Sequence, residues 1–134
     1  MLLVKTYLGK SRIHGLGVFA GEFIRKGTKI WRFVEGFDRV YSPREFARLP
    51  QEAKDFIRRY GYRADGEIML TLDHDRHVNH SENSNIGYRN GHAVAVRDIP
   101  KGTEITNDYR EFDPVFCAAF LKKKNGARRN GRKR

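Results

Sequence analysis

The chain reads as a mainly-β fold. Three observations carry this: short apolar stretches rich in β-branched and aromatic residues recur along the body, turn chemistry separates them, and a single region shows clear helical periodicity. The stretches are Leu2 to Leu8, Lys29 to Val34, Glu67 to Leu72, His92 to Val96 and Glu104 to Thr106. Asp65-Gly66 and Asn90-Gly91 suit tight hairpin turns, because Gly and Asn accept positive φ at little cost. A weak internal repeat is also present. Ile24-Arg25-Lys26-Gly27-Thr28-Lys29-Ile30 echoes Ile99-Pro100-Lys101-Gly102-Thr103-Glu104-Ile105, and each copy reads as a Lys-Gly turn feeding a strand.

The helical region is an insert near residues 43–60. Ser42 can cap the first turn, Pro43 suits the first helical position, and Glu45 stands three residues after the cap, completing a capping box. Pro50 starts a second helix, in which Ala53, Phe56, Ile57 and Tyr60 form one apolar stripe expected to face the core, ending at the C-cap residue Gly61. Pro114 to Leu121, with Val115, Phe116, Ala119 and Phe120, is expected to form one more short helix against the body.

At 134 residues the chain makes one domain, and about two thirds of the unfolded surface can be buried at this size. We expect that domain over residues 1–121, followed by a disordered basic tail. Residues 122–134 hold eight Lys or Arg and no acid, so the net charge of +11 falls to +3 for the remainder. Such a polar tract buries too little apolar surface to order itself. It reads equally as a solubilising end or as an arm for nucleic acid, an acidic partner or nuclear import. Cys117 is the only cysteine, which excludes an intramolecular disulfide and a thiolate-rich zinc site. No apolar run reaches 18 residues, and Met1 to Val4 is too short for a signal peptide, so the expected location is intracellular, in cytoplasm or nucleus, without membrane contact.

Two local patterns invite chemistry that their context opposes. Gly15-Leu16-Gly17-Val18-Phe19-Ala20 matches a dinucleotide-binding fingerprint, with Glu35 placed for a ribose contact. A dinucleotide fold needs a helix after the glycines, however, and Gly21 and Gly27 interrupt the segment that would supply it. A Gly-rich turn whose amides approach a ligand is more economical. Asp73 to His80 packs three histidines and two aspartates into eight residues, yet it lies between strands and includes Arg76, which disfavours a metal.

Val78-Asn79-His80-Ser81-Glu82-Asn83-Ser84-Asn85 and Gly102-Thr103-Glu104-Ile105-Thr106-Asn107-Asp108-Tyr109 resemble the two signature motifs of SET-domain protein-lysine methyltransferases. Gly15 to Ala20 matches a third family element in the expected order, so the resemblance spans about residues 3–113. It implies a SET β-clip: short twisted sheets, the helical insert, and a pseudoknotted C-terminal segment passing under an earlier loop. Lacking cysteine-rich zinc clusters, the chain is similar to the minimal, stand-alone members.

The resemblance further implies S-adenosylmethionine as cofactor, held by His14, Gly15, Leu16, Gly17, His77, Asn79 and His80, with no metal. Tyr109 matches the family's catalytic tyrosine. Methyl transfer is an in-line displacement requiring an aligned, neutral lysine amine, so an apolar channel that disfavours the ammonium form assists it. Phe33, Phe112, Phe116 and Phe120 are candidates for channel walls or an adenine cover, though each could equally be core. Asn107 stands where many members have Phe or Tyr, which leaves room beside the amine for added methyl groups. Glu82 and Ser84 replace the Cys and Pro of many members, altering local packing but removing no expected ligand. The implied substrate is a lysine-bearing basic protein or peptide, with a histone tail the familiar target. The alternative is a catalytically silent SET-like module binding nucleic acid or an acidic partner through its tail. The oligomeric state is not legible.

Overall fold

The computed structural model describes residues 1–64 and 66–113. In chain order its elements are β1 (Thr6–Lys10), β2 (Leu16–Ala20), β3 (Lys29–Arg32), β4 (Arg39–Tyr41), α1 (Pro43–Ala47), α2 (Gln51–Tyr60), β5 (Tyr62–Ala64), β6 (Glu67–Leu70), a 3-10 turn (His74–His77), β7 (Asn79–His80), β8 (Ile86–Arg89), β9 (His92–Ala95), β10 (Glu104–Asn107) and a second 3-10 turn (Tyr109–Glu111). Among the described residues the strands form three small sheets, ordered β1-β2-β10-β7, β3-β9-β8 and β4-β6-β5. The mainly-β expectation holds. The expected short helix at Pro114 to Leu121, with Phe116 and Phe120, and the tail at 122–134 lie outside the described residues.

The internal repeat is the organising device. Ile24 and Ile99 pair reciprocally, the amide of each donating to the carbonyl of the other at 2.9 and 2.8 Å. Both side chains are buried. Gly27 and Gly102 occupy equivalent left-handed positions, with φ +88° and +85°. Gly27 N donates to Ala95 O and Ala95 N to Thr28 O, at 2.8 and 3.0 Å; Gly102 N donates to Ala20 O and Ala20 N to Thr103 O, at 2.8 and 2.9 Å. The two turns are thus locally two-fold related. One directs β3 onto β9, and the other directs β10 onto β2.

Among the described residues, twelve buried hydrophobic side chains make the core cluster. Val18, Ala20, Val78 and Ile105 come from the four-stranded sheet and its approach, and Ile30, Trp31, Ile86, Ala93 and Ala95 from the β3-β9-β8 sheet; Leu2, Ile24 and Ile99 join them. Burying one such aliphatic side chain is worth about 1.5–3 kcal/mol, so the cluster is the main force clamping the two sheets together.

Several local expectations are corrected. Leu2 to Leu8 is not one strand: Leu2 bridges Trp31 and Leu3 N donates to Ile30 O at 2.7 Å, whereas Thr6–Lys10 pairs with β2. The segment bends because its two ends belong to different sheets. Only Gly15 is the expected Gly-rich turn; Leu16–Ala20 continues as β2. Ser42 does cap α1, accepting from Glu45 N at 3.1 Å, with Pro43 at its start. In α2 only Ile57 of the apolar stripe is buried, and Phe56 is 42% exposed. The Arg76 and Arg59 guanidinium groups lie over the Phe56 and Tyr60 rings. Gly61 ends α2 in an extended conformation rather than a left-handed one; a Cβ there would lie 2.6 Å from Ile57 O and 2.7 Å from Ile68 Cγ2. The hairpin reading of Asn90-Gly91 holds, both residues having positive φ between β8 and β9, and Gly66 is left-handed between β5 and β6. No helix among the described residues is long and apolar enough to cross a membrane.

Truncating either member of the central pair, Ile24→Ala or Ile99→Ala, should lower the unfolding free energy by about 3 kcal/mol, as expected for a filled aliphatic site. Urea denaturation measures this. A loss below about 1 kcal/mol for both would show that the paired turns do not bear on stability as described.

Candidate functional site

The tight turn before β2 is built by its own polar groups. Ser11 N donates to Gly15 O at 2.9 Å, while the Ser11 hydroxyl accepts from Ile13 N and His14 N at 2.8 and 3.2 Å. Gly15 sits at φ +49°, and no heavy atom comes within 4 Å of where its Cβ would stand. The turn leaves the carbonyls of His14 and Leu16 facing Asn79, whose strand β7 pairs in parallel with β10. Asn79 Nδ2 lies 3.0 Å from His14 O, 3.1 Å from Leu16 O and 3.0 Å from Glu104 Oε1. An amide nitrogen carries two protons, so three acceptors compete for two donors. Glu104 Oε1 also accepts the Ser11 hydroxyl at 2.8 Å. Gly17 makes this possible, since a Cβ there would lie 2.3 Å from Glu104 Oε1.

The neighbouring residue, His80, joins the second half of the site. Its Nδ1 accepts from Tyr109 N at 3.1 Å, which requires that nitrogen to carry no proton. Asp108 Oδ1 stands 3.8 Å away. Arg110 grips Asp108 from the other side with hydrogen bonds from Nε at 2.8 and 3.0 Å and another from Nη2, and holds its carboxyl below the usual range. Buried Asn85 clasps β10: Nδ2 donates to Glu104 O at 2.8 Å, and Oδ1 accepts from Thr106 N at 2.9 Å. Ser81 N adds a bond to Asn107 O at 2.9 Å. Residues 78–85 therefore grip the segment 104–109 along its length.

Tyr109 faces an aromatic group. Its ring lies 5.9 Å from Tyr62, edge-on, 5.6 Å from Phe112 and 5.4 Å from His80, and Tyr62 and Phe112 meet at 5.2 Å. The Tyr109 hydroxyl donates to Val78 O, and the Tyr62 hydroxyl to Asp75 O at 2.9 Å. Burial, then the charge of Asp75, raises the pKa of both phenols above the ordinary value. They stay protonated near neutrality, their protons directed at backbone carbonyls, and the two hydroxyls also meet each other in a hydrogen bond. Burial, followed by the charge of Asp73, also pushes the Asp75 carboxyl up to about 7.

The structure thus brings His14, Gly15, Leu16, Gly17 and Asn79 into one cluster, and His80, Asn107, Tyr109 and Phe112 into another. It places His77 elsewhere, its ring edge-on to Tyr60 at 5.5 Å, with its pKa lowered by burial and then by Arg76. Phe33 packs against the core cluster. The side chains of Asp73 to His80 diverge: Asp73 accepts from Leu2 N, His74 meets Thr6, Asp75 is buried, and His77 turns to Tyr60. Sequence reasoning missed Ser11, Tyr62 and Asp75. Glu104 and Asn85 lay inside the quoted motifs without an assigned role.

Comparison with known proteins matches the SET domain family to residues 15–110, most of the chain. The chain belongs to the SET-domain family. It is 28% identical, over an aligned length of 135, to human histone-lysine N-methyltransferase 2D, covering 86% of this chain, and the mouse protein matches equally. The chain spans about 2% of the length of these relatives. Among solved structures, it is similar to a candidate histone methyltransferase of Plasmodium falciparum, with 27% identity, a TM-score of 0.55, and 81% of this chain and 95% of that one covered. Its fold also matches Polycomb Repressive Complex 2 of Chaetomium thermophilum in an autoinhibited conformation bound to S-adenosylmethionine, with 22% identity, a TM-score of 0.61, and 90% of this chain and 17% of that one covered.

Asp75 sets a pH dependence. Its carboxyl titrates near 7 when folded and near 3.8 when unfolded, so the folded state binds the proton more tightly and stability falls as pH rises through that window. Above about pH 7 the loss is complete. Asp75→Asn should therefore gain stability relative to wild type progressively between pH 4 and 7, by urea denaturation at a series of pH values. A stability difference independent of pH would contradict this.

Proposed function

We propose that this SET domain is an S-adenosylmethionine-dependent methyltransferase that acts on the side-chain amine of lysine in a basic protein or peptide. One observation carries the reading. The seam β2–β10–β7 holds the acceptor-lined Gly15 turn and the aromatic surroundings of Tyr109 side by side, with Asn79 serving one and the adjacent His80 the other. The names of the human and Plasmodium relatives support the reaction class, and a histone tail is the substrate they favour.

The residues present fit the cofactor. Three acceptor oxygens around one amide nitrogen form a surplus that a cationic amino group satisfies, and the open side of Gly15 lets a ligand approach the backbone. His14, Leu16 and Asn79 would hold the amino-acid end, and the His80 backbone the adenine edge. When bound, S-adenosylmethionine supplies an electrophilic methyl carbon on a sulfonium, which a neutral lysine amine attacks.

Tyr109 acts by position rather than as a base. Its proton is committed to Val78 O, so its oxygen accepts an N–H of the incoming amine and points the nitrogen lone pair along the channel. Tyr62, its hydroxyl held by Asp75 O and bonded to Tyr109, helps to fix the Tyr109 hydroxyl in place. Neither phenol takes the lysine proton near neutrality, because burial keeps both pKa values high. That proton must leave to water. Phe112 and the edge of Tyr62 shield the site and favour the neutral amine.

The test is a labelled methyl-donor assay on histones and basic peptides, with mass spectrometry of the product. Tyr109→Phe should lower turnover about a hundredfold while S-adenosylhomocysteine still binds with wild-type affinity by calorimetry. Activity should rise from neutral to alkaline pH as lysine deprotonates. Undiminished turnover in Tyr109→Phe would sink this mechanism.

Asn107 ends β10 opposite His80, half-buried and smaller than an aromatic residue. We expect wild type to reach at least dimethyl-lysine, and Asn107→Tyr to shift products toward monomethyl-lysine by filling the space. Mass spectrometry at matched conversion decides it. An unchanged distribution would exclude Asn107 from the channel.

A further inference from the structure

We infer that Glu104 is the carboxylate that recognises the α-ammonium group of the methyl donor, so that this site selects amino-bearing ligands; the inference rests on the S-adenosylmethionine reading above. The chain carries 27 Lys and Arg, yet among the described residues none forms an ion pair with Glu104. A half-buried anion without a counter-charge is costly, and a cationic ligand group arriving beside it relieves that cost.

The carboxylate is also held in place. Oε1 takes the Ser11 hydroxyl at 2.8 Å and the Asn79 amide at 3.0 Å, and no described residue donates to Oε2. Ser11 is itself fixed by the amides of Ile13 and His14, so the turn and the carboxylate are wired as one unit. Around them stand the His14 and Leu16 carbonyls, both reached by the same Asn79 nitrogen. The ensemble has more acceptors than protons. A primary ammonium, with three donors and a full positive charge, complements it; a neutral or anionic group does not. Gly17 completes the arrangement, because a Cβ 2.3 Å from Oε1 would evict the carboxylate.

The experiment is calorimetry with two probes, S-adenosylhomocysteine and its des-amino analogue, which keeps the adenosine, thioether and carboxylate. Wild type should bind the amino-bearing probe about tenfold or more tightly than the analogue. Glu104→Gln keeps the hydrogen-bond acceptor and removes the charge. It should lose about tenfold for S-adenosylhomocysteine and little for the analogue, collapsing the preference. Glu104→Asp, which withdraws the charge by one methylene, should fall between them and serves if the glutamine variant does not fold. Equal losses on both probes, or an intact preference in the variants, would overturn the assignment while leaving the methyltransferase reading standing. A wild type that binds neither probe would overturn that reading and the assignment with it.

Discussion

The reciprocal backbone pairing of Ile24 with Ile99 is the constraint from which the rest of the molecule follows. Each residue opens a Lys-Gly turn, and each turn exchanges two hydrogen bonds with the end of a distant strand, the Gly102 turn with Ala20 of β2 and the Gly27 turn with Ala95 of β9. Because the turns are locally two-fold related, fixing one fixes the direction of both β3 and β10. β3 closes the sheet that carries Trp31, and β10 enters the gap between β2 and β7. Without that entry Asn79 would lack Glu104, and Tyr109 would lie far from His80. The apolar cluster then locks the arrangement, since side chains from both sheets share one buried volume.

Within this frame the two halves of the site use polar groups in opposite ways. Around Asn79, acceptors outnumber protons, which leaves a demand that a ligand can meet. Around Tyr109 the phenolic protons are already placed on Val78 O and Asp75 O, and the Tyr62 and Tyr109 hydroxyls also bond to each other. Burial reinforces both, because a part-dry site strengthens an ion pair and keeps a phenol neutral. The carboxyl of Asp75 lies behind the Tyr62 contact, raised by the same desolvation.

Much of this was legible in the sequence, and the reasons for the failures are physical. The three motifs identified the family, and the Gly15 turn, the Asn90-Gly91 hairpin and the Ser42 cap rest on local rules that tertiary contacts did not override. The repeat was visible too, although its partner strands were not. β4, β5 and β7 went unread because strands of two or three residues carry too little periodicity. The α2 stripe misled because helical spacing reports amphipathicity, whereas the depth of burial depends on what lies opposite; here arginines cover the aromatic edge. The His77 side chain, assigned to the cofactor by the family resemblance, meets Tyr60 from the end of the 3-10 turn, a contact that sequence spacing does not report. Tyr62 carried no signal, as its role exists only once β5 packs beside Tyr109.

The place of β10 also governs the order in which the molecule can be made. Glu104 pairs with Phe19 and Thr106 with Asn79, contacts between segments far apart along the chain. Such contacts demand loop closure before they repay it, so they form late. Until β10 slots in, Asn79 lacks its contact with Glu104 and Tyr109 has no histidine to hold it. Neither half can mature alone. A nascent or partly opened chain is therefore chemically mute, and the strand that completes the architecture doubles as proof that assembly is finished.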